Sequence, residues 1–183
     1  MLVLKSKRGN LLTRQAWPNN PPISSILLVM SSSMNAPLYL DDLQVGDQFN
    51  SGTYTLTKEK LLEFASEYDP QPFHLDEELA KDTLFEGLAA SGWQTASITM
   101  KLWVQTLHVA NGLIGIDCHL KWPTPTRAGD TLRVEAEVIE IKRSTSKPNM
   151  GIVTYHSLTK NQHNQVVQDT TTKVVVFSKP ENS

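Results

Sequence analysis

The chain has 183 residues, and its 17 lysines and arginines against 19 acidic residues give a formal net charge of -2. This length suits one domain with its own core, and the near-neutral charge provides no basic surface for nucleic acid. No apolar run approaches the roughly 20 residues that a membrane-spanning helix needs. The single cysteine, Cys118, excludes an internal disulfide framework and a cysteine-rich zinc site, and it fits a reducing, cytoplasmic compartment.

The first 33 residues differ in composition from the rest of the chain. They contain four basic residues and no acidic ones, and their only apolar run, Ile26–Met30, is five residues long. A secretory signal usually has about 7–15 apolar residues, whereas a basic, serine-containing and acid-free segment also suits a transit peptide. We favour a disordered extension or a start codon assigned too far upstream. The folded domain is therefore predicted over residues 34–183.

The first predicted elements of this domain are a strand and two helices. Residues 48–56 contain Thr, Tyr and Thr in succession, which favours a strand. Thr57 can cap a helix over residues 58–68, and two prolines stop that helix. Asp76 can cap a second, short helix that runs through Lys81.

Residues 93–109 form the longest helical pattern. Apolar residues recur mostly at steps of three or four, and further apolar residues occupy other faces, so we expect a buried helix. Trp93 and Trp103 are accordingly predicted in the core, and the sequence Asn111-Gly112 ends the segment. The predicted buried face consists of Trp93, Ala96, Met100, Trp103, Val104 and Leu107.

After the long helix the apolar period changes from about 3.6 to two. This alternation predicts strands at residues 116–122, 131–143, 151–160 and 165–177, separated by turns rich in Pro, Gly and Asn. The order of elements favours an α+β fold, in which one antiparallel sheet wraps around one long helix.

The stretch most suggestive of chemistry is residues 69–76. It places a carboxylate, Asp69, and an imidazole, His74, five residues apart on a segment stiffened by two prolines. An aspartate and a histidine held together can share one water and transfer its protons. Spacing alone leaves an equal alternative, in which Asp69 caps a turn and His74 packs at the surface.

These residues resemble the motif of the MaoC-type, (R)-specific enoyl-CoA hydratases of the hot-dog fold. That motif has the form Asp-x-Asn-Pro-x-His-x-Asp, followed by an Ala, a Phe and a small-residue stretch that ends in Gly. The similarity continues at the turn formed by residues 127–132 and covers about residues 40–178. The matching residues of the motif are Asp69, Pro72, His74, Asp76, Ala80, Phe85 and Gly92.

The resemblance implies a function and a site. Asp69 and His74 match the catalytic pair, which adds water reversibly across the 2,3 double bond of an enoyl thioester. Gly92 matches the glycine whose N–H faces the thioester carbonyl, where a helix N-terminus would stabilise the enolate charge. The resemblance also implies a homodimer that takes an acyl-CoA or acyl-carrier thioester. No cofactor is expected, because coenzyme A is part of the substrate.

Two positions depart from the family pattern. Ser91 stands where the family usually has His, and Gln71 where it usually has Asn. We therefore expect an altered pocket, with Ser91, Phe73, Gln71 and Trp93 as its candidate lining.

Two other functions stay open alongside hydration. A hot-dog protein can bind an acyl thioester without chemistry, or, less in keeping with the motif, hydrolyse it. The remaining histidines have no ligand spacing, so no metal site is expected. Basic residues at the turns, Arg127 among them, are interpreted as solvated charges rather than as partners of coenzyme A phosphates.

Overall fold

The structure is a computed structural model that describes residues 36–180. The predicted N-terminal extension, residues 1–33, lies outside the described residues. Within them, no helix is long and apolar enough to cross a membrane.

The described residues form one antiparallel sheet in the order β1-β4-β5-β6-β3, and the two-residue strand β2 also pairs with β4. The long strands β4, β5 and β6 lie side by side, and β3 forms one edge of the sheet. The strands are β1 (Gln48–Asn50), β2 (Tyr54–Thr55), β3 (Ile114–Lys121), β4 (Thr131–Arg143), β5 (Met150–Lys160) and β6 (Val166–Phe177).

Between residues 36 and 180, four α-helices and one 3-10 turn, Leu40–Asp42, accompany the sheet. Two of the helices are capped as predicted. The Thr57 hydroxyl accepts a hydrogen bond from the N–H of Lys60, and the Asp76 carboxylate accepts from the N–H groups of Glu78 and Leu79. The helices are α1 (Lys58–Tyr68), α2 (Pro72–Leu75), α3 (Glu77–Lys81) and α4 (Gly92–Thr106).

One face of the sheet packs on α4 and builds the core. Ile98, Leu102 and Trp103 of α4 are buried against apolar residues of β4, β5 and β6. The Trp103 ring meets the fully buried ring of Tyr155 edge to face, with 5.2 Å between the ring centroids. The predicted α+β hot-dog architecture, with a sheet wrapped around one long helix, is thus confirmed.

The predicted strand over residues 48–56 is interrupted in the structure. It divides into β1 and β2 because both the side chain and the backbone of Ser51 form hydrogen bonds with β4. The Ser51 hydroxyl accepts from the N–H of Val134 at 2.8 Å, while the Ser51 N–H donates to the Val134 carbonyl at 2.9 Å. A hydroxyl in place of a carbonyl breaks the regular ladder, and the chain leaves the sheet until Tyr54.

The predicted buried face of α4 was correct only in part, because Trp103 and Leu107 are buried but the other large apolar side chains of that face are not. Trp93, Met100 and Val104 are 62%, 50% and 53% exposed, so Trp93 is not a core residue, whereas Trp103 is. The sheet covers the opposite face, which includes the buried Thr95 and Thr99. Because threonine is polar, the spacing of apolar residues does not identify this face as buried. Each hydroxyl is satisfied, Thr95 by Thr126 at 2.9 Å and Thr99 by Thr159 at 2.7 Å.

Candidate active site

The end of α1 and the turn α2 bring the predicted catalytic pair together. Asp69 closes α1, and Pro72 begins α2, where a missing N–H costs no helical hydrogen bond. The segment after α1 is therefore not an open loop throughout, because Pro72 starts a second helical turn. As a result, Nε2 of His74 lies 3.3 Å from Oδ2 of Asp69.

The His74 ring is fixed by a backbone carbonyl. The residue is 4% exposed, so the alternative in which it packs at the surface does not hold. Its Nδ1 lies 2.8 Å from the carbonyl oxygen of Ala89. Because a carbonyl can only accept, Nδ1 carries the hydrogen, and Nε2 is the nitrogen presented to Asp69. The rings of Phe73 and Phe85 pack against the imidazole, with centroids 4.5 and 6.0 Å away.

The surroundings of Asp69 favour its ionised form. Burial of the carboxyl acts to raise its pKa, but the Ser91 hydroxyl, the Gln71 amide and the positive charge that His74 has when it is protonated outweigh burial and hold the pKa below its ordinary value. The Gln71 amide donates to Oδ1 of Asp69 at 2.7 Å, so glutamine reaches the carboxylate from this position. A lowered pKa means that Asp69 is a carboxylate at neutral pH and can accept a proton.

Ser91 and Gly92 form the N-terminus of α4 beside this pair. Ser91 is fully buried and caps the helix, because its hydroxyl accepts from the N–H of Trp93 at 3.2 Å. Gly92 is the first helical residue, and among the described residues its N–H has no hydrogen-bond acceptor. An unpaired N–H at the positive end of a helix dipole suits an oxygen that gains negative charge.

Sequence reasoning missed Trp122, which packs directly against Gly92. A Cβ added at Gly92 would lie 2.9 Å from two atoms of the Trp122 indole. The indole N–H donates to the buried Gln168 at 2.9 Å, and its ring meets Trp93 edge to face at 5.5 Å. Gly92 therefore serves the packing of the fold in addition to its proposed role. No pattern in the sequence links residues 92 and 122.

We expect Gly92→Ala to destabilise the protein by about 1–3 kcal/mol, because the new methyl group overpacks the Trp122 ring. Urea unfolding with wild type and variant measures this difference. Gly52→Ala is the matched control, because a Cβ there meets nothing within 4 Å. Equal unfolding free energies for Gly92→Ala and wild type would show that the indole moves aside freely.

The other predicted lining residues lie around the pair in different ways. Gln71 and Phe73 contact Asp69 and His74 directly. Ser91 is a buried helix cap, and Trp93 is mostly exposed next to Trp122.

A groove of about 360 Å³ lies between α1 and α4. Its lining residues include Tyr68 and Gln94, the near neighbours of Asp69 and Gly92 in the chain, but not Asp69 and His74 themselves. Across residues 36–180, no group of three or more His, Cys, Asp and Glu side chains could hold a metal ion.

The interpretation of Arg127 as a solvated turn charge was wrong. Its guanidinium donates to backbone carbonyls of the segment between α3 and α4. The sequence did not predict these contacts, because the carbonyls lie about 40 residues from Arg127 in the chain.

Comparison with known proteins gives a consistent family. The sequence model of the MaoC like domain matches residues 42–161. A MaoC-like dehydratase from Rhodospirillum rubrum is 53% identical with a TM-score of 0.77, covering 78% of this chain and 99% of that one. An (R)-hydratase from A. caviae is 27% identical with a TM-score of 0.58, covering 75% and 98% of the two chains. The uncharacterized protein YdeM of Bacillus subtilis (strain 168) is 33% identical over 67% of this chain and 87% of its own length.

Proposed function

The chain belongs to the MaoC-like dehydratase family, and we propose that it adds water reversibly across the 2,3 double bond of an enoyl thioester. The substrate is an enoyl-CoA or an enoyl group on an acyl carrier, and the product is the (R)-3-hydroxyacyl thioester. Hydration as the activity is supported at family level, since similar structures include an (R)-hydratase. The observation that carries the proposal is the Asp69–His74 pair beside the free N–H of Gly92.

The pair activates one water in the proposed reaction. Asp69 is held as a carboxylate and Nε2 of His74 faces it, so a water beside both groups can donate one hydrogen to each. The pair takes a proton from this water as its oxygen bonds to carbon 3. The pair then returns one proton to carbon 2, which leaves a hydroxyl on carbon 3 and restores both residues.

The charge that forms during this attack moves to the thioester oxygen. When the water oxygen bonds to carbon 3, the electron pair of the double bond shifts toward the carbonyl and creates an enolate. In our proposal the Gly92 N–H and the N-terminal end of α4 stabilise that enolate oxygen. Removal of such a donor costs about 3 kcal/mol in comparable sites.

The proposed reaction needs no cofactor and no metal. Water is the co-substrate, and coenzyme A or the acyl carrier takes no part in the chemistry. Asp69 and His74 make both proton transfers. We place this reaction in the cytoplasm, because a single cysteine suits a reducing compartment.

Product analysis after incubation with 2-enoyl-CoA thioesters of several chain lengths tests the proposal. A hydratase yields a product heavier by one water with the thioester intact. Free thiol would instead identify a thioesterase, and unchanged substrate that binds tightly would identify a binding module. Either of these two results, obtained with folded protein, would overturn the proposed function.

We also propose that the protein works as a homodimer, on the evidence of an uncovered apolar surface. The exposed stripe of α4, formed by Trp93, Met100 and Val104, meets the end of the edge strand β3, because Trp93 contacts Trp122, the residue after β3. β3 pairs on one side only, with β6, and carries exposed isoleucines. An edge strand with apolar neighbours is prone to pair with another strand. A second copy related by a two-fold axis would pair its own β3 antiparallel to this one.

Met100→Glu is expected to shift the protein from dimer to monomer, because it places a charge in the middle of the stripe. Light scattering coupled to gel filtration gives the mass directly. Val45→Glu is the control, since Val45 is 64% exposed on a turn outside the stripe. Wild-type protein that elutes with the mass of one chain at micromolar concentration would contradict the homodimer.

A further inference from the structure

Arg127 lies in the connection between β3 and β4 and is held there by its own turn. Its backbone N–H donates to Oδ2 of Asp130 at 2.8 Å, and Asp130 is 6% exposed. The other oxygen of Asp130 accepts from the Gln162 amide at 3.1 Å. These hydrogen bonds fix the backbone from which the Arg127 side chain extends.

The Arg127 side chain binds three carbonyls of the segment that joins α3 to α4. One terminal nitrogen donates to the carbonyls of Gly87 and Leu88 at 2.7 and 2.9 Å, and the other donates to the carbonyl of Phe85. This segment needs such support because Glu86 has a φ of +52° and Gly87 a φ of +141°. A planar guanidinium offers several donors in a fixed fork, which a lysine ammonium does not reproduce.

The same segment holds the catalytic imidazole. Ala89, one residue beyond Leu88, accepts from Nδ1 of His74 at 2.8 Å and donates its N–H to the carbonyl of Phe73 at 3.1 Å. The next residue, Ala90, donates its N–H to the carbonyl of Thr126, the neighbour of Arg127, at 2.8 Å. The segment is thus bonded to His74 on one side and to the Arg127 turn on the other.

We propose that Arg127 is a positioning residue for the Asp69–His74 pair. By holding the segment of residues 85–90, it keeps the Ala89 carbonyl opposite Nδ1 of His74. That carbonyl selects the tautomer with hydrogen on Nδ1 and directs Nε2 at Asp69. The catalytic part of this assignment rests on the proposed function, whereas the effect on the His74 tautomer does not.

The first measurement is the protonation pattern of the His74 ring by ¹⁵N NMR, which needs no substrate. We expect wild type to carry the hydrogen on Nδ1, and both Arg127→Gln and Arg127→Lys to show a mixture of tautomers. His74→Asn identifies the His74 signals among the five histidines. Arg143→Gln is the matched control, because Arg143 pairs with Asp41 at the surface and has no link to His74. An unchanged His74 pattern in both folded Arg127 variants would overturn the proposal.

The second measurement is steady-state hydration, with chemical rescue. We expect Arg127→Ala to lower kcat about 10- to 100-fold with little change in KM, because a small displacement of a catalytic group is costly. Methylguanidinium at non-denaturing concentration should restore part of kcat by filling the vacated site. A loss of kcat that only follows the unfolded fraction, without rescue, would assign Arg127 a purely structural role. If wild type hydrates no thioester, the proposed function fails, and the NMR comparison still decides the positioning role.

Discussion

Asp69→Asn is expected to lower kcat/KM for enoyl thioester hydration by about 10³-fold. The amide keeps the shape of the side chain and can still contact the Gln71 amide and His74. It can no longer accept a proton, because the carboxylate that its surroundings keep ionised is gone. Initial rates from the loss of the enoyl absorbance measure the effect across a panel of chain lengths.

A second acidic residue provides the control for Asp69→Asn. Asp82 follows α3, is exposed, and has no side-chain partner among the described residues. Asp82→Asn removes the same charge and should retain full activity. Thermal unfolding of both variants separates loss of chemistry from loss of fold. Near-wild-type hydration by Asp69→Asn would remove Asp69 from the mechanism.

His74→Asn is expected to lower kcat/KM by about 10²- to 10⁴-fold while the protein keeps most of its stability. The Asn amide can still donate to the Ala89 carbonyl in place of Nδ1, but it leaves nothing at the position of Nε2. The variant therefore removes the proton acceptor and keeps the hydrogen bond that orders the neighbouring segment.

Comparison with His74→Ala separates these two functions of the histidine. His74→Ala should be as inactive as His74→Asn and also less stable, because it leaves a cavity beside Phe73 and an unpaired buried carbonyl at Ala89. Unfolding free energies and hydration rates of both variants test this. Substantial hydration by His74→Asn would show that Nε2 takes no part in the reaction.

The sequence predicts the long elements and the proximity of Asp69 and His74 well, for identifiable reasons. The alternation along residues 131–143 reports burial on one face of a strand. The helix caps at Thr57 and Asp76 are local, because each side chain bonds to an N–H two or three residues away. Asp69 and His74 are likewise close in sequence, and the end of α1 and the single turn α2 are enough to bring them together.

The remaining parts of the site could not be predicted, because they depend on distant segments. The Ala89 carbonyl fixes the His74 tautomer. Because every residue has a backbone carbonyl, the sequence does not show which one contacts the imidazole. The packing of Trp122 on Gly92 joins β3 to the start of α4 and follows no period. The exposed stripe with Met100 was misassigned because apolar spacing identifies an apolar face and does not show whether the sheet of the same chain covers it.

The central claim is that Asp69 and His74 act as one unit on a single water, and a double-mutant cycle tests it most directly. The measurement is kcat/KM for hydration by wild type, Asp69→Asn, His74→Asn and the double variant. When two groups act together, substitution of either one removes nearly all of their joint contribution to the rate. We expect the double variant to be about as impaired as the worse single variant. Losses that multiply independently, or a folded wild type that hydrates no enoyl thioester, would contradict it.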